Sequence, residues 1–351
     1  MTITPASPAA SQQAAVDAAL LVLKSMGLSL DDLTAAPSNR KKPVPTFAEY
    51  VPVVAATLTP GTLRSYRPYW NKTVEQWGER RLDEPTPSEI KQLVVYIKEH
   101  AVQRRNSRGG NTAAESLISA LRCLYQHAVD DKLIKAEDNP ARKVGKPRRL
   151  PSTRRALSDT ELAEINQVAA STGDDPELDA LILRLHTETA CRRAGALALR
   201  PRDLDRSRCV IMLREKGETF RWQPVSPTLM TALVQHAEER HAPVNGRLLR
   251  YRDGHQVTAR RYDGLWVRIG KEVPWVYTQD VSTHWLRHTT LTWVERNFGF
   301  AIAHAFAGHN DGREDRVSVT TTYVRGTLAE VATALAALTG EPHPLALAVL
   351  E

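Results

Sequence analysis

Residues 283–325 read THWLRHTTLTWVERNFGFAIAHAFAGHNDGREDRVSVTTTYVR, and the reading of this stretch decides the rest of the chain. If THWLRHTTLTWVE is a helix, its 3.6-residue period puts His284, Arg287 and His288 on one face. A basic group of donors on one face suits an anion, and a phosphate fits it best. The string then passes the tight step at Gly308 and His309 and reaches Tyr323, a residue type able to attack phosphorus without a metal.

The totals agree with a nucleic-acid partner. The 351 residues carry a net charge of +7, and the pI is near 9.4; both favour a polyanion, although soluble proteins that bind no nucleic acid reach a similar balance. The length suggests two domains. Cys123, Cys191 and Cys209 have no C-x-x-C spacing, so neither a disulfide framework nor a zinc site is indicated, and a reducing cytoplasm is expected. AALLVLKSMGLSL near the start is too short and interrupted to span a bilayer and lacks a preceding basic segment, so neither export nor a membrane partner is expected.

Outward from the opening stretch, helix starts are marked chemically. Residues 1–42 read as an extension, partly helical near Ala14–Met26 and otherwise mobile, with one docked helix. In residues 43–145 four or five helices are predicted. Thr59 with Pro60, Thr86 with Pro87 and Glu89, and Thr112 with Glu115 have the form of N-caps and capping boxes. Leu117, Leu121, Leu124 and Ala128 form a one-face stripe, read as core. Residues 146–155 lie in a basic, proline-containing run without apolar periodicity, read as a linker.

The second domain, 156–340, opens at the Ser158–Glu161 capping box, and LDALILRLHTETA leads into TACRRAGALALRPRDLD at 189–205. RCVIMLREKGETFRWQPVSP reads as two β-rich runs turning at Glu215–Glu218, with Lys216 near the tip. Helices are predicted from Ser226–Pro227 and after Thr258. A last helix is capped by Thr327 and Glu330 and stopped by Gly340, with a tail at 341–351. Its face of Leu328, Val331, Leu335 and Leu338 needs a partner surface.

HWLRHT resembles the H-x-L-R-H-T box of the tyrosine recombinases, or phage integrase family. AGH resembles its L-G-H box, TTTYV the segment around its nucleophile, and TACRRAGALALRPRDLD its T-G-L-R-x-x-E-L-x-x-L-x-x-x-D-I-D. The resemblance implies a mainly α fold with a small β-hairpin or sheet: a helical SAM-like core-binding domain followed by a mixed α/β integrase-type catalytic domain. It implies cleavage and rejoining of double-stranded DNA through a 3′-phosphotyrosyl intermediate, with no cofactor, metal or ATP. It further implies a homo-tetramer exchanging strands through a Holliday junction, with DNA-bending accessory proteins as possible partners and a mobile genetic element as context. In that scheme Tyr323 is the nucleophile, Arg192 and Arg287 hold the phosphate, His284 and His309 add hydrogen bonds or move the tyrosine proton, and Lys216 protonates the leaving group. Arg193 is the rival of Arg192, but alignment through Leu199 and Asp203 favours Arg192; His288 is read as structural. His284 and His309 lack a further close Cys, His or Asp set with ligand spacing, so a metal site is rejected. The DNA-binding candidates are Arg64, Lys72, Arg104, Arg105, Arg108, Arg122, Lys146, Arg148 and Arg149. The extra arm-type domain of some integrases has no strand pattern to support it at 1–42, and the terminal helix either docks on a neighbouring protomer, as in the family, or packs on its own chain.

Two positions depart from the family pattern. The place three after Arg192, acidic in the pattern, is Gly195, followed by Ala196; Glu188 is a candidate substitute. DGREDR lengthens the span from His309 to Tyr323. Two other functions share these residues: a type IB topoisomerase-like nicking and resealing enzyme, and a DNA-binding regulator that has lost catalysis.

Overall fold

The computed structural model describes residues 8–27, 29, 43–102, 108–148, 154–214, 220–308 and 326–346. The chain divides into two units, Met1–Leu150 and Pro151–Glu351.

In the first unit α1 (Pro8–Ser25) is followed by α2 (Phe47–Thr57), α3 (Pro60–Trp77), α4 (Pro87–Glu99) and α5 (Asn111–Asp130). The chemistry at the starts of α2, α3 and α4 is local. Thr46 and Glu49, and likewise Thr86 and Glu89, complete reciprocal capping boxes, and the Thr59 hydroxyl accepts from the Thr62 amide, in each case satisfying amides that a first helical turn leaves without partners. Thr112 does not cap α5. That helix starts one residue earlier, behind Gly109 and Gly110 at φ 61° and 76°. A Cβ at Gly110 would lie 2.4 Å from the Lys98 carbonyl oxygen, so close approach of the chain to the end of α4, rather than a side-chain cap, sets the start.

The stripe Leu117, Leu121, Leu124 and Ala128 is fully buried and packs with Phe47, Trp70, Leu82 and Ile90. Two polar handles lock it: Trp70 Nε1 donates to Ala120 O at 3.0 Å and Tyr125 Oη to Leu82 O at 3.0 Å. By contrast, α1 leaves Leu20, Leu21 and Val22 exposed, so the expectation of a docked helix is corrected.

The second unit is built around α7 (Pro176–Thr189), preceded by α6 (Asp159–Ser171) behind the Ser158–Glu161 capping box. A short α8 (Arg193–Ala198) leads to an antiparallel sheet of β1 (Leu204–Asp205), β2 (Val210–Arg214) and β3 (Phe220–Pro224), in that order, with Arg214 opposite Phe220. Then come α9 (Pro227–Glu239), α10 (Ala259–Glu272), α11 (Pro274–Thr278), α12 (Thr283–Phe298), α13 (Phe300–Ala307) and α14 (Leu328–Thr339). Leu178, Ile182, Leu183 and Leu185 of α7 are all fully buried, more than one helical face allows, which makes α7 the central element. α12 is tied to its surroundings by threonines: Thr290 Oγ1 donates to Thr187 O at 2.7 Å, and Thr289 Oγ1 accepts from the Leu157 amide at 2.9 Å.

The last helix finds its partner surface within its own chain. Val331 and Leu335 are buried with Val294, Ala303 and Phe306, and Leu338 packs against that cluster. The following segment continues this: Glu341 accepts from the Thr228 amide at 3.1 Å, and His343 Nε2 lies 3.0 Å from Cys209 O. Among the described residues no helix is long and apolar enough to cross a membrane.

Candidate active site

Two chain corners and one helix assemble the site. The first corner ends α7. Ala190 takes a left-handed conformation, φ 47°, its amide donating to His186 O at 3.0 Å; Cys191 follows, and Arg192 stands extended as the N-cap residue of α8. The second corner ends α13, where Gly308 is left-handed at φ 63°, directly before His309 in the sequence. α12 joins the two. Arg287, only 6% exposed, donates through Nη2 to Ala307 O at 2.7 Å and through Nη1 to Ala190 O. Its guanidinium therefore braces both corners and is held in a fixed orientation.

His284, one turn earlier, is exposed. Partial burial, and then the positive charges of Arg154, Arg287, Arg192 and His288, push its imidazole below the ordinary histidine range. Desolvation and neighbouring cations both disfavour a protonated ring. The shared face of α12 is thus graded by exposure, with Arg287 buried, His288 half-buried and His284 exposed. His288 Nδ1 lies 3.1 Å from Thr292 Oγ1, within its own helix.

Arg193 pairs with Asp263 at 3.1 Å and lies over the Tyr262 ring, so it is committed to α10. Glu188, the candidate substitute for the acid at 195, is engaged by other groups. Its buried carboxylate accepts from Arg184 Nε at 2.7 Å, Ser226 N at 2.9 Å and Ser226 Oγ at 3.1 Å. At Gly195 itself a Cβ would stand 3.4 Å from Arg214 O, because α8 packs closely on β2.

β2 and β3 flank, in sequence, the segment that includes Lys216. Asp203, 1% exposed, receives both Nη1 and Nη2 of Arg214, the latter at 2.7 Å. Arg214 also lies over the Phe220 ring across the hairpin. Lys216, His309 and Tyr323, with the DGREDR segment, lie outside the described residues, as do Arg104, Arg105 and Arg149.

Of the remaining DNA-binding candidates, Arg64, Lys146 and Arg148 are exposed. Lys72 is exposed and pairs with Glu75 at 2.7 Å, and Arg108 begins the turn before α5. Arg122 is turned to a structural task, donating to Ala141 O at 3.3 Å and Val144 O at 2.8 Å.

Three neighbours of the site were not legible in the sequence. Arg154 enters as a charge felt by His284. His186, fully buried, lies 3.0 Å from both Cys191 O and Tyr262 Oη, and burial pushes its pKa down to about 4. Arg221 reaches the same two corners as Arg287 from β3, through Thr189 O and Phe306 O.

Residues 155–326 match the model of the phage integrase family. The chain carries a phage integrase family domain. No curated protein matches the chain by sequence. Solved structures do match it, at low identity. A lambda integrase dimer bound to a COC′ core site superposes with a TM-score of 0.57 at 13% identity, covering 78% of this chain and 100% of that one. A lambda integrase tetramer bound to a Holliday junction gives 0.58 at 14% identity, over 91% and 92%. The Tn1549 transposon integrase in complex with transposon right end DNA gives 0.56 at 17% identity, over 84% and 100%. These likenesses establish the fold, a mainly helical chain with a small antiparallel sheet and an integrase-type catalytic domain, as the sequence pattern implied.

Proposed function

We propose that the protein is a site-specific DNA recombinase of the tyrosine type. The observation that carries this is the bracing of the Arg192 corner and the Gly308 corner by Arg287, with His284 beside them, in an integrase-family domain whose sequence supplies Lys216, His309 and Tyr323 in the family's order. Each group then has a task. The Tyr323 oxygen attacks phosphorus while its proton passes to a site histidine. Arg192 and Arg287 neutralise charge growing on the non-bridging oxygens. The bond from phosphorus to the 5′ oxygen breaks, and Lys216 gives that oxygen a proton. The 3′-phosphotyrosyl ester conserves the bond, so a 5′ hydroxyl from a second duplex reverses the step without ATP. The set needs no metal, since the arginines supply the positive charge. By analogy with the lambda integrase tetramer, four copies act on two duplexes, and residues 43–145 with the linker at 146–155 follow the phosphates of the core site.

Strand exchange tests this. DNA fragments selected by binding to the full chain are paired, and recombinant joints between two copies of the selected site are expected; relaxation of supercoils without joints would indicate a nicking and resealing enzyme instead. A second reading, a DNA-binding regulator, is favoured by Gly195 and by the engagement of Glu188 elsewhere. Binding without any covalent product would support it.

A further inference from the structure

Arg221 has no part in the chemistry assigned above, yet it reaches both corners of the site. It leaves β3, where Phe220 and Trp222 on either side are exposed and Arg221 itself is half-buried. Nη1 donates to Phe306 O at 3.0 Å and Nη2 contacts Thr189 O at 3.4 Å, while Gln223 Oε1 accepts from Nη1. Phe306 and Thr189 are the chain neighbours of Ala307 and Ala190, the two residues whose carbonyls Arg287 takes. Two guanidiniums from different elements therefore hold adjacent carbonyls at both places. The aliphatic part of Arg221 also lies over Gly308, where a Cβ would meet its Cδ and Nε at 2.2 Å. That glycine has left-handed φ, so its missing side chain both permits the turn and leaves room for the arginine.

We propose that Arg221 is a positioning residue, tying β3 to the Arg192 and Gly308 corners and so fixing the phosphate-holding groups relative to the sheet. A planar fork serves two carbonyls in fixed directions, which an ammonium on a flexible stem cannot reproduce. The helix ends it holds expose carbonyls that would otherwise need other partners. The proposal rests on the cleavage reaction above, so its test has one arm that does not depend on DNA.

In the full-length protein, Arg221→Met keeps much of the side chain's volume and removes its donors. Hydrogen exchange is expected to rise about tenfold, as for loss of one net hydrogen bond, in peptides covering 186–192 and 303–308, with the core of α7 unchanged. Single-turnover cleavage of a nicked duplex carrying the selected site is expected to fall about 100-fold, the scale of a small misplacement of reacting groups, while DNA affinity and the final cleaved fraction are retained. The loss should persist on a substrate with sulfur at the bridging 5′ position, because the defect lies in holding the phosphate. Arg221→Lys, which keeps charge without the fork, should be similarly slow. Unchanged exchange at both corners overturns the bracing. A wild-type rate with a smaller active fraction, or exchange raised throughout the unit, overturns positioning in favour of a role in stability alone, and a Lys variant at wild-type rate does the same if the Met variant fails to fold. Absence of cleavage by the wild-type protein refutes the recombinase reading, while the exchange arm still decides the brace.

Discussion

At the scale of single residues, neighbours of the same type have different work. Arg192→Ala is expected to slow single-turnover cleavage by about 100- to 1,000-fold, as for loss of one preorganised donor to a charged transition state. Arg193→Ala removes an ion pair whose partners are 47% and 70% exposed, worth about 1 kcal/mol at most, and should leave cleavage nearly unchanged. The leaving group separates Lys216 from the arginines. An alkoxide needs a proton, whereas a thiol titrates near about 8.5 and leaves without help. Lys216→Ala should therefore cleave ordinary DNA very slowly and recover on a substrate with sulfur at the bridging 5′ position. Arg192→Ala should not recover. Equal defects of Lys216→Ala on both substrates would move the acid elsewhere.

At the scale of elements, what the sequence made legible was local chemistry. The Thr86–Glu89, Ser158–Glu161 and Thr327–Glu330 boxes each place a helix start, because both partners lie within one turn. Thr112 misled because two left-handed glycines and the Lys98 carbonyl set that start instead. α13 was not read: FAIAHAFA has no side-chain cap and too little polar spacing to show a period. Arg221 was invisible for a different reason, since its partners are main-chain oxygens 32 and 85 positions away, and no residue type marks a carbonyl. The shared helix face of His284, Arg287 and His288 was readable from helical spacing, and Arg192 was pointed to by the motif resemblance, whereas the hold of Arg287 on the Ala190 and Ala307 carbonyls is tertiary. The same distinction predicts the effect of Asp203→Asn. Its partner Arg214 keeps 21% exposure, so the loss should be about 2–3 kcal/mol, below that of a fully buried broken pair, measured by urea unfolding. Cleavage should fall with it, because this pair fixes the end of β2, which directly precedes the Lys216 segment in sequence.

At the scale of the whole molecule, two bulk properties follow from the charges. Buried His186 and His236 are pushed down to about 4, by desolvation first. The unfolded chain takes up protons near about 6.5, where the folded one does not. Their contribution to stability is thus complete above that pH and is lost as the pH falls toward 4. The loss is on the order of 3 kcal/mol for a fully buried histidine. Unfolding midpoints of the second unit between pH 7 and pH 4 should show this fall, and His186→Gln should reduce it, leaving the part due to His236. DNA affinity should weaken steeply with salt, since basic residues such as Arg64, Lys146 and Arg148 would displace counterions from phosphates; a flat response between low and moderate salt would remove phosphate contact from the account. The most direct measurement is covalent trapping. A nicked duplex carrying the selected site, incubated with the full chain in EDTA, should yield a protein–DNA adduct joined through a 3′ phosphate. Tyr323→Phe should bind the same DNA and give no adduct. An adduct from the Phe variant, or one formed by the wild type only when a divalent metal is supplied, would contradict the central claim.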